Sequence, residues 1–304
     1  MRLVFLGTSG SVPTPRRNLP AIAIRRKGEL IFLDCGEGTQ RQMMGASLGF
    51  PKTIRIFLSH LHPDHVWGIP GLIHTLTMQD YKGKIQLYGP PGVENYLKST
   101  MKAVNFHPTF PVEVQTIESE GNILTEEDYR IQSTPADHNI PALAYSLTEK
   151  ERPGRFDREK AERLGIPEGP LRSKLQRGET ITLPNGRKVS PEEIIGKPRK
   201  GRKITYSGDT RPSQKIAELA KGSDLLIHEA TFDDSMTDRA AEDGHSTPSQ
   251  AATVAKEAKV ERLALTHISA RYEDPTPLLE QAKRIFKNTF IAEDLMQIEL
   301  KYRE

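Results

Sequence analysis

A chain of 304 residues, 36% of them apolar, can bury a sizeable core in one large domain or two small ones. Its 43 basic and 40 acidic residues leave a net charge of +3, which suits a polyanionic partner without requiring one. The single cysteine, Cys35, excludes a disulfide framework and any zinc site built on thiolates, so a metal would have to be held by histidines and carboxylates.

Leu3–Leu6 is a first strand, too short for a signal-peptide core, and no apolar run approaches the roughly 20 residues of a membrane span. With the lone thiol this points to a cytoplasmic protein. Ala21–Ile24 and Leu30–Leu33 flank a turn at Lys27-Gly28 and read as a hairpin. Further strands are expected at Ile54–Leu58, Ile85–Tyr88, Val112–Ile117, Ile131–Thr134, Ala142–Leu147, Ile204–Tyr206, Leu225–Ile227, Leu263–Leu265 and Met296–Leu300. Helical patterns cover Gly38–Leu48, Val66–Met78, Val93–Val104, Pro212–Lys221, Pro248–Ala258 and Pro277–Phe286. Hairpins followed by mixed strands and helices predict an α/β fold, an αββα sandwich of two mixed sheets with helices on the outer faces.

From about Glu149 to Arg202 apolar residues are few and Lys, Arg, Gly and Pro are many. A short helix fits Asp157–Leu164. Such composition buries little surface, so the segment reads as an insertion outside the core: either a flexible surface loop or an arm reaching toward an anionic partner.

The strongest chemical signal is Ser59-His60-Leu61-His62-Pro63-Asp64-His65, directly after a buried strand. Imidazole nitrogens and carboxylate oxygens suit zinc, iron or manganese. His60 and His62 alternate in an extended stretch and can share one ion; Asp64 and His65 follow at the turn and can face a second. Other apolar runs end in ligand types as well: His138 in Ala136-Asp137-His138, Asp209 in Ser207-Gly208-Asp209-Thr210, and His267 after Leu263–Leu265. A lone Asp after a strand is usually a turn residue; four such strand ends together point to a dinuclear site. His74 and His107 lack ligand neighbours and are set aside, Gly7–Gly10 reads as a turn rather than a nucleotide loop, and Trp67 reads as a packing residue.

The His-x-His-x-Asp-His turn resembles the signature of the metallo-β-lactamase superfamily. GTSGSVPTPRRN, LDCGEGTQRQ, SHLHPDH, SGDT, HEAT at His228–Thr231, HST at His245–Thr247 and HISARY at His267–Tyr272 are similar, along essentially the whole chain, to the ribonuclease Z family. That resemblance implies one domain over residues 1–304 with an inserted arm at about 150–200 that grips tRNA. It implies one ion on His60, His62, His138 and Asp209, a second on Asp64, His65, Asp209 and His267, and zinc first, with manganese or iron as alternatives. Two such ions about 3.5–4 Å apart clamp the attacking and leaving oxygens of a phosphodiester. Asp64 would accept the proton of the attacking water, and a Glu229–His245 pair would protonate the leaving 3′ oxygen. The substrate implied is precursor tRNA, cut to leave a 3′-hydroxyl on the tRNA and a 5′-phosphate on the trailer, by an enzyme that forms homodimers. Arm contacts would come from Arg155, Arg158, Lys160, Arg163, Arg172, Lys174 and Arg177, although Asp157, Glu159, Glu162 and Glu168 interleave with them. Two alternatives stand beside this reading: a small-molecule phosphodiesterase or other hydrolase on the same fold, and an RNA-binding protein with a structural metal.

Overall fold

The structure is a computed structural model that describes residues 1–302, and it divides into two units, residues 1–148 with 203–301, and residues 149–202 with Tyr302. In the first unit two seven-stranded sheets lie face to face. One runs in the order 297–299, 2–7, 21–26, 29–33, 53–57, 84–89, 112–116; the other in the order 289–291, 263–266, 225–229, 203–206, 142–149, 129–136, 121–125. Strand Arg2–Gly7 accounts for the layering: Leu3 and Phe5 pack into the core between the sheets, while Val4 and Leu6 pack on the opposite face with helices Thr39–Gly45, Gly68–Met78 and Val93–Ala103. Helices Gln214–Ala220, Pro248–Glu257 and Thr276–Ile285 cover the outer face of the second sheet. Strands buried on both faces read as continuous apolar runs rather than alternating ones, as in Leu3–Leu6 and Leu225–Ile227. The four layers are the αββα sandwich expected from the sequence.

Four strands running to one edge of each sheet are parallel: 29–33, 53–57, 84–89 and 112–116 in one, 203–206, 225–229, 263–266 and 289–291 in the other. Parallel strands deliver their carboxyl ends to one edge, the usual place for a site in such sheets. Asp34, Ser59-His60, Asp209, Glu229 and His267 all lie at or just past such ends.

Several elements differ from the sequence reading. The helix expected over Val66–Met78 is divided into Pro63–Val66 and Gly68–Met78, because the Gly68 N–H bonds the Cys35 carbonyl at 2.9 Å instead of continuing the ladder. Ser9–Gly10, read as part of a turn, pairs in parallel with Ile268–Ser269. Strands Gly121–Thr125 and Thr289–Ile291 escaped notice, the first with only half-buried and exposed residues and the second with three residues in all. Trp67 is not a packing residue: it is 57% exposed.

Residues 149–202 fold rather than trail. Helices Arg158–Arg163, Pro170–Gln176 and Pro191–Ile194 and the strand pair 181–182 with 188–189 enclose Ala161, Ile166, Leu175, Ile181, Leu183, Val189 and Ile194. The sequence reading underestimated this small core because its apolar residues are spread singly among charges. Ser190 and Glu193 form a capping box on the third helix, and Arg202 bonds both oxygens of Glu149 at 2.8 Å each. Among the described residues no helix is long and apolar enough to cross a membrane.

Candidate active site

All seven residues read from the sequence as metal ligands converge. The Nε2 atoms of His60 and His138 lie 2.9 and 3.2 Å from His62 Nδ1. His65 Nε2 and His267 Nε2 are 3.4 Å apart, each 3.4 Å from Asp64 Oδ2 and 3.3 Å from Asp209 Oδ2. Asp209 Oδ2 also lies 3.7 Å from His60 Nε2, between the two groups. Donors bound about 2.0–2.2 Å from one ion stand about 3.3–3.5 Å from each other, so the 3.3–3.4 Å separations among Asp64, His65, His267 and Asp209 match the edges of a coordination shell, whereas the contacts to His62 Nδ1 are of hydrogen-bond length. The 3.3–3.4 Å separations are long for hydrogen bonds. Of these residues, His60, His62 and His138 form one set able to hold an ion, and Asp64, His65 and His267 another.

A divalent metal fits this donor set on an independent observation: Asp209 Oδ1 is buried and has no hydrogen-bond partner among the described residues. An orphaned carboxylate oxygen in a protein interior is costly unless a cation takes it.

The remaining nitrogen of each histidine with an inward Nε2 is held in turn. His60 Nδ1 meets Ser59 Oγ at 3.0 Å, His65 Nδ1 meets Asp34 Oδ2 at 2.8 Å, His138 Nδ1 meets the Gly244 carbonyl at 2.8 Å and His267 Nδ1 meets Thr231 Oγ1 at 2.8 Å. Such partners fix the tautomer and leave Nε2 free to ligate. Asp34 carries the largest share, accepting also from Ser59 N (2.6 Å), Ser59 Oγ (2.8 Å) and the Tyr206 hydroxyl (2.7 Å). Asp64 Oδ2 accepts from the Ser11 N–H at 2.9 Å, which ties the GTSGSVP loop to the site. Gly208, at φ +59°, lets that turn approach Ser59: a Cβ there would lie 2.7 Å from the Ser59 Cβ.

Charge follows the geometry. Burial opposes ionisation of Asp209, yet His267 and His65 hold its carboxyl well below the usual range. Burial likewise opposes Asp64, which His65 and His267 keep low. Burial, then the neighbouring His65, lowers His60. His245 Nδ1 contacts Glu229 Oε1 at 2.9 Å; burial disfavours its charged form, but Glu229 raises it to about 9. Glu229 is buried and also accepts from Thr210 N, Thr231 N and Thr231 Oγ1, at 3.0, 3.1 and 2.7 Å. Of the pair, then, only His245 is at hand for a substrate, and Glu229 positions it. His228 is fully buried, its Nδ1 against the Glu229 carbonyl at 2.8 Å.

In the second unit Arg155, Arg158, Lys160, Arg163, Lys174 and Arg177 are exposed. Arg172 is half-buried, donating to the Ile166 carbonyl at 3.1 Å and pairing with Glu168 at 3.3 Å, so it serves the unit's own structure. Arg177 pairs with Glu179 at 2.9 Å.

Asp34, Ser59, Tyr206 and Thr231 were not singled out from the sequence as supports of the site. Asp34 follows a strand as Asp209 does, and the same rule would have found it; Ser59 and Thr231 stand inside the SHLHPDH and HEAT motifs, and Tyr206 carries no local signal.

The sandwich and its strand-end histidine and aspartate cluster define a hydrolase of the metallo-β-lactamase fold. The family model described as a beta-lactamase superfamily domain matches residues 184–268, and that of anti-Pycsar protein Apyc1 matches residues 1–150. Ribonuclease Z of Methanosarcina acetivorans is 46% identical over 100% of this chain and 99% of its own. Ribonuclease Z of Haloferax volcanii is 45% identical over 100% of this chain and 96% of its own. The crystal structure of human tRNase Z, short form, matches with a TM-score of 0.70 at 30% identity, covering 99% of this chain and 100% of that one. The chain belongs to the ribonuclease Z family; it is a metal-dependent endoribonuclease.

Proposed function

We propose that this chain removes the 3′ trailer from precursor tRNA by hydrolysis, leaving a 3′-hydroxyl on the tRNA and a 5′-phosphate on the trailer. The observation that carries the reading is the pair of three-donor sets meeting at Asp209, whose buried Oδ1 has no hydrogen-bond partner among the described residues, in a chain 46% identical to a ribonuclease Z over its full length. His60, His62, His138 and Asp209 would hold one divalent ion, and Asp64, His65, Asp209 and His267 a second; zinc suits the imidazole-rich donors best, with manganese or iron as alternatives. Two such ions, when bound, neutralise charge on the phosphate and acidify water at neutral pH.

The protein's own groups handle the protons. Asp64, kept ionised by His65 and His267 and oriented by the Ser11 N–H, accepts the proton of the attacking water. His245, kept charged by Glu229, gives its proton to the departing 3′ oxygen; with Nδ1 taken by Glu229, Nε2 is the nitrogen that donates. Exposed Arg155, Arg158, Lys160, Arg163, Lys174 and Arg177 of the 149–202 unit contact phosphates of the folded tRNA, which is read by shape and backbone rather than sequence. The working enzyme is a cytoplasmic homodimer in this reading.

The test is incubation of the purified protein with zinc or manganese and an end-labelled precursor tRNA. A single cut after the acceptor stem with these end groups is expected, abolished by Asp64→Ala and by chelation. Hydrolysis of a small phosphodiester without any tRNA cleavage would reassign the same site to a small-molecule phosphodiesterase.

A further inference from the structure

We propose that Arg211 is a positioning residue that brackets the loops carrying His138 and His245, and that its loss costs the ion on the His60, His62 and His138 side while sparing the other. The proposal rests on the two-ion reading above.

The segment Asp209–Arg211 is the hub of the site. Asp209 supplies the shared carboxylate. Thr210 N donates to Glu229 Oε1 at 3.0 Å, Thr210 Oγ1 accepts from Asp137 N at 3.0 Å, and the Thr210 carbonyl accepts from Ser246 Oγ at 2.7 Å. Arg211 N donates to the Asp137 carbonyl at 2.7 Å. The guanidinium then spans the 137–139 loop and the last turn of helix Thr237–Asp243, which runs into the loop of Gly244 and His245: Nη1 to Asp137 Oδ1 at 3.2 Å, Nη2 to Asn139 Oδ1 at 2.6 Å, and Nε to the Ala241 carbonyl at 2.6 Å.

Those two loops hold His138 between them. Asp137 and Asn139 flank it in sequence, and the Gly244 carbonyl takes its Nδ1 from the other side. The contact is direct: a Cβ on Gly244, at φ +83°, would lie 2.6 Å from His138 Nδ1. His245 follows Gly244. One planar fork therefore sets both the aim of a metal ligand and the loop that bears the proton donor. Two of its acceptors, Asn139 Oδ1 and the Ala241 carbonyl, are neutral, so shape as well as charge matters, and a lysine cannot reproduce three divergent bonds.

The opposite half of the site is fixed by different groups: Asp64 by Ser11 N, His65 by Asp34 and His267 by Thr231. None of these bonds involves Arg211. The expected damage is thus one-sided. Arg211 is also 26% exposed at its side chain, so shortening it opens no core cavity.

The test is zinc stoichiometry and chelator competition on wild type, Arg211→Ala and Arg211→Lys, with precursor tRNA turnover measured alongside. Wild type is expected to hold two zinc ions per chain. Both variants should keep one at wild-type affinity and bind the other about 10–100-fold more weakly, the usual effect of losing an outer support. Their kcat should recover in part with excess zinc while KM changes little. Two ions held as in wild type, or both weakened alike, would overturn the proposal. A wild type holding fewer than two ions contradicts the two-ion reading instead. If the Arg211 variants do not fold, Asn139→Ala, at an exposed position that takes one bond of the fork, is measured: the same one-sided loss supports the bracket and symmetric or absent loss overturns it.

Discussion

The two units of this chain handle polar side chains in opposite ways. In the first, ionisable groups are buried together and nearly every nitrogen and oxygen has an assigned partner: His65 between Asp34 and Asp209, His267 between Thr231 and Asp64, Glu229 beneath His245. In the second, charges stand on the surface of a core of seven residues, and several of the basic ones face acidic neighbours, as Arg177 does Glu179. Buried, cross-braced groups suit bond-breaking, which tolerates little misplacement. Exposed, screened charges suit a large folded polyanion, where many weak phosphate contacts add up. The proposed function divides along the same line, assigning chemistry to one unit and recognition to the other.

Substitutions should separate the two. The largest effect is expected for Asp209→Ala, which removes the one carboxylate shared by both donor sets: about a 10³-fold or greater loss of kcat, with binding of precursor tRNA nearly unchanged by gel shift. Next is Asp34→Asn. It keeps the size of the side chain but loses the charge that orients His65, and metal affinity by chelator competition should fall about 10–100-fold. Leu175→Ala acts in the other unit. Leu175 is fully buried there, and about 2–5 kcal/mol is more than so small a core holds in reserve. KM for precursor tRNA should rise while zinc content and hydrolysis of a small phosphodiester stay at wild-type values.

Smaller effects follow. Lys160→Ala alone should weaken RNA binding modestly and lower the slope of log K against log salt by about 1, measured by titration at several ionic strengths. Cys35 should show no effect near neutrality. Burial pushes its thiol up to about 12, so native protein at pH 8 should resist iodoacetamide and react only once unfolded. Because the folded value lies above the unfolded one, this group costs no stability below about pH 9 and an increasing amount as pH rises from there toward 12.

Much of this was legible in the sequence, for identifiable reasons. Ligand types placed just after short apolar runs gave His60, His62, Asp64, His65, Asp209 and His267, because parallel strands bring their carboxyl ends to one edge, and His138, which follows the antiparallel strand Tyr129–Ala136. The double-sided burial of strands such as Leu225–Glu229 made their apolar part, Leu225–Ile227, visible as an uninterrupted run. What stayed hidden depends on the third dimension. Tyr206 lies 172 residues from Asp34 in the chain, and Arg211 reaches Asp137 across 74 residues; no local spacing announces either contact. The fold of residues 149–202 was hidden for a compositional reason: its few apolar residues are scattered among charges, and a small core needs only a few.

The division of labour has one direct measurement: kcat/KM of a single preparation on precursor tRNA and on bis(p-nitrophenyl) phosphate, before and after replacing Arg158, Lys160, Arg163 and Lys174 together with alanine. The account predicts that tRNA cleavage falls by at least about tenfold at moderate salt while the small diester is hydrolysed as before. Equal loss on both substrates, or none on either, would contradict it.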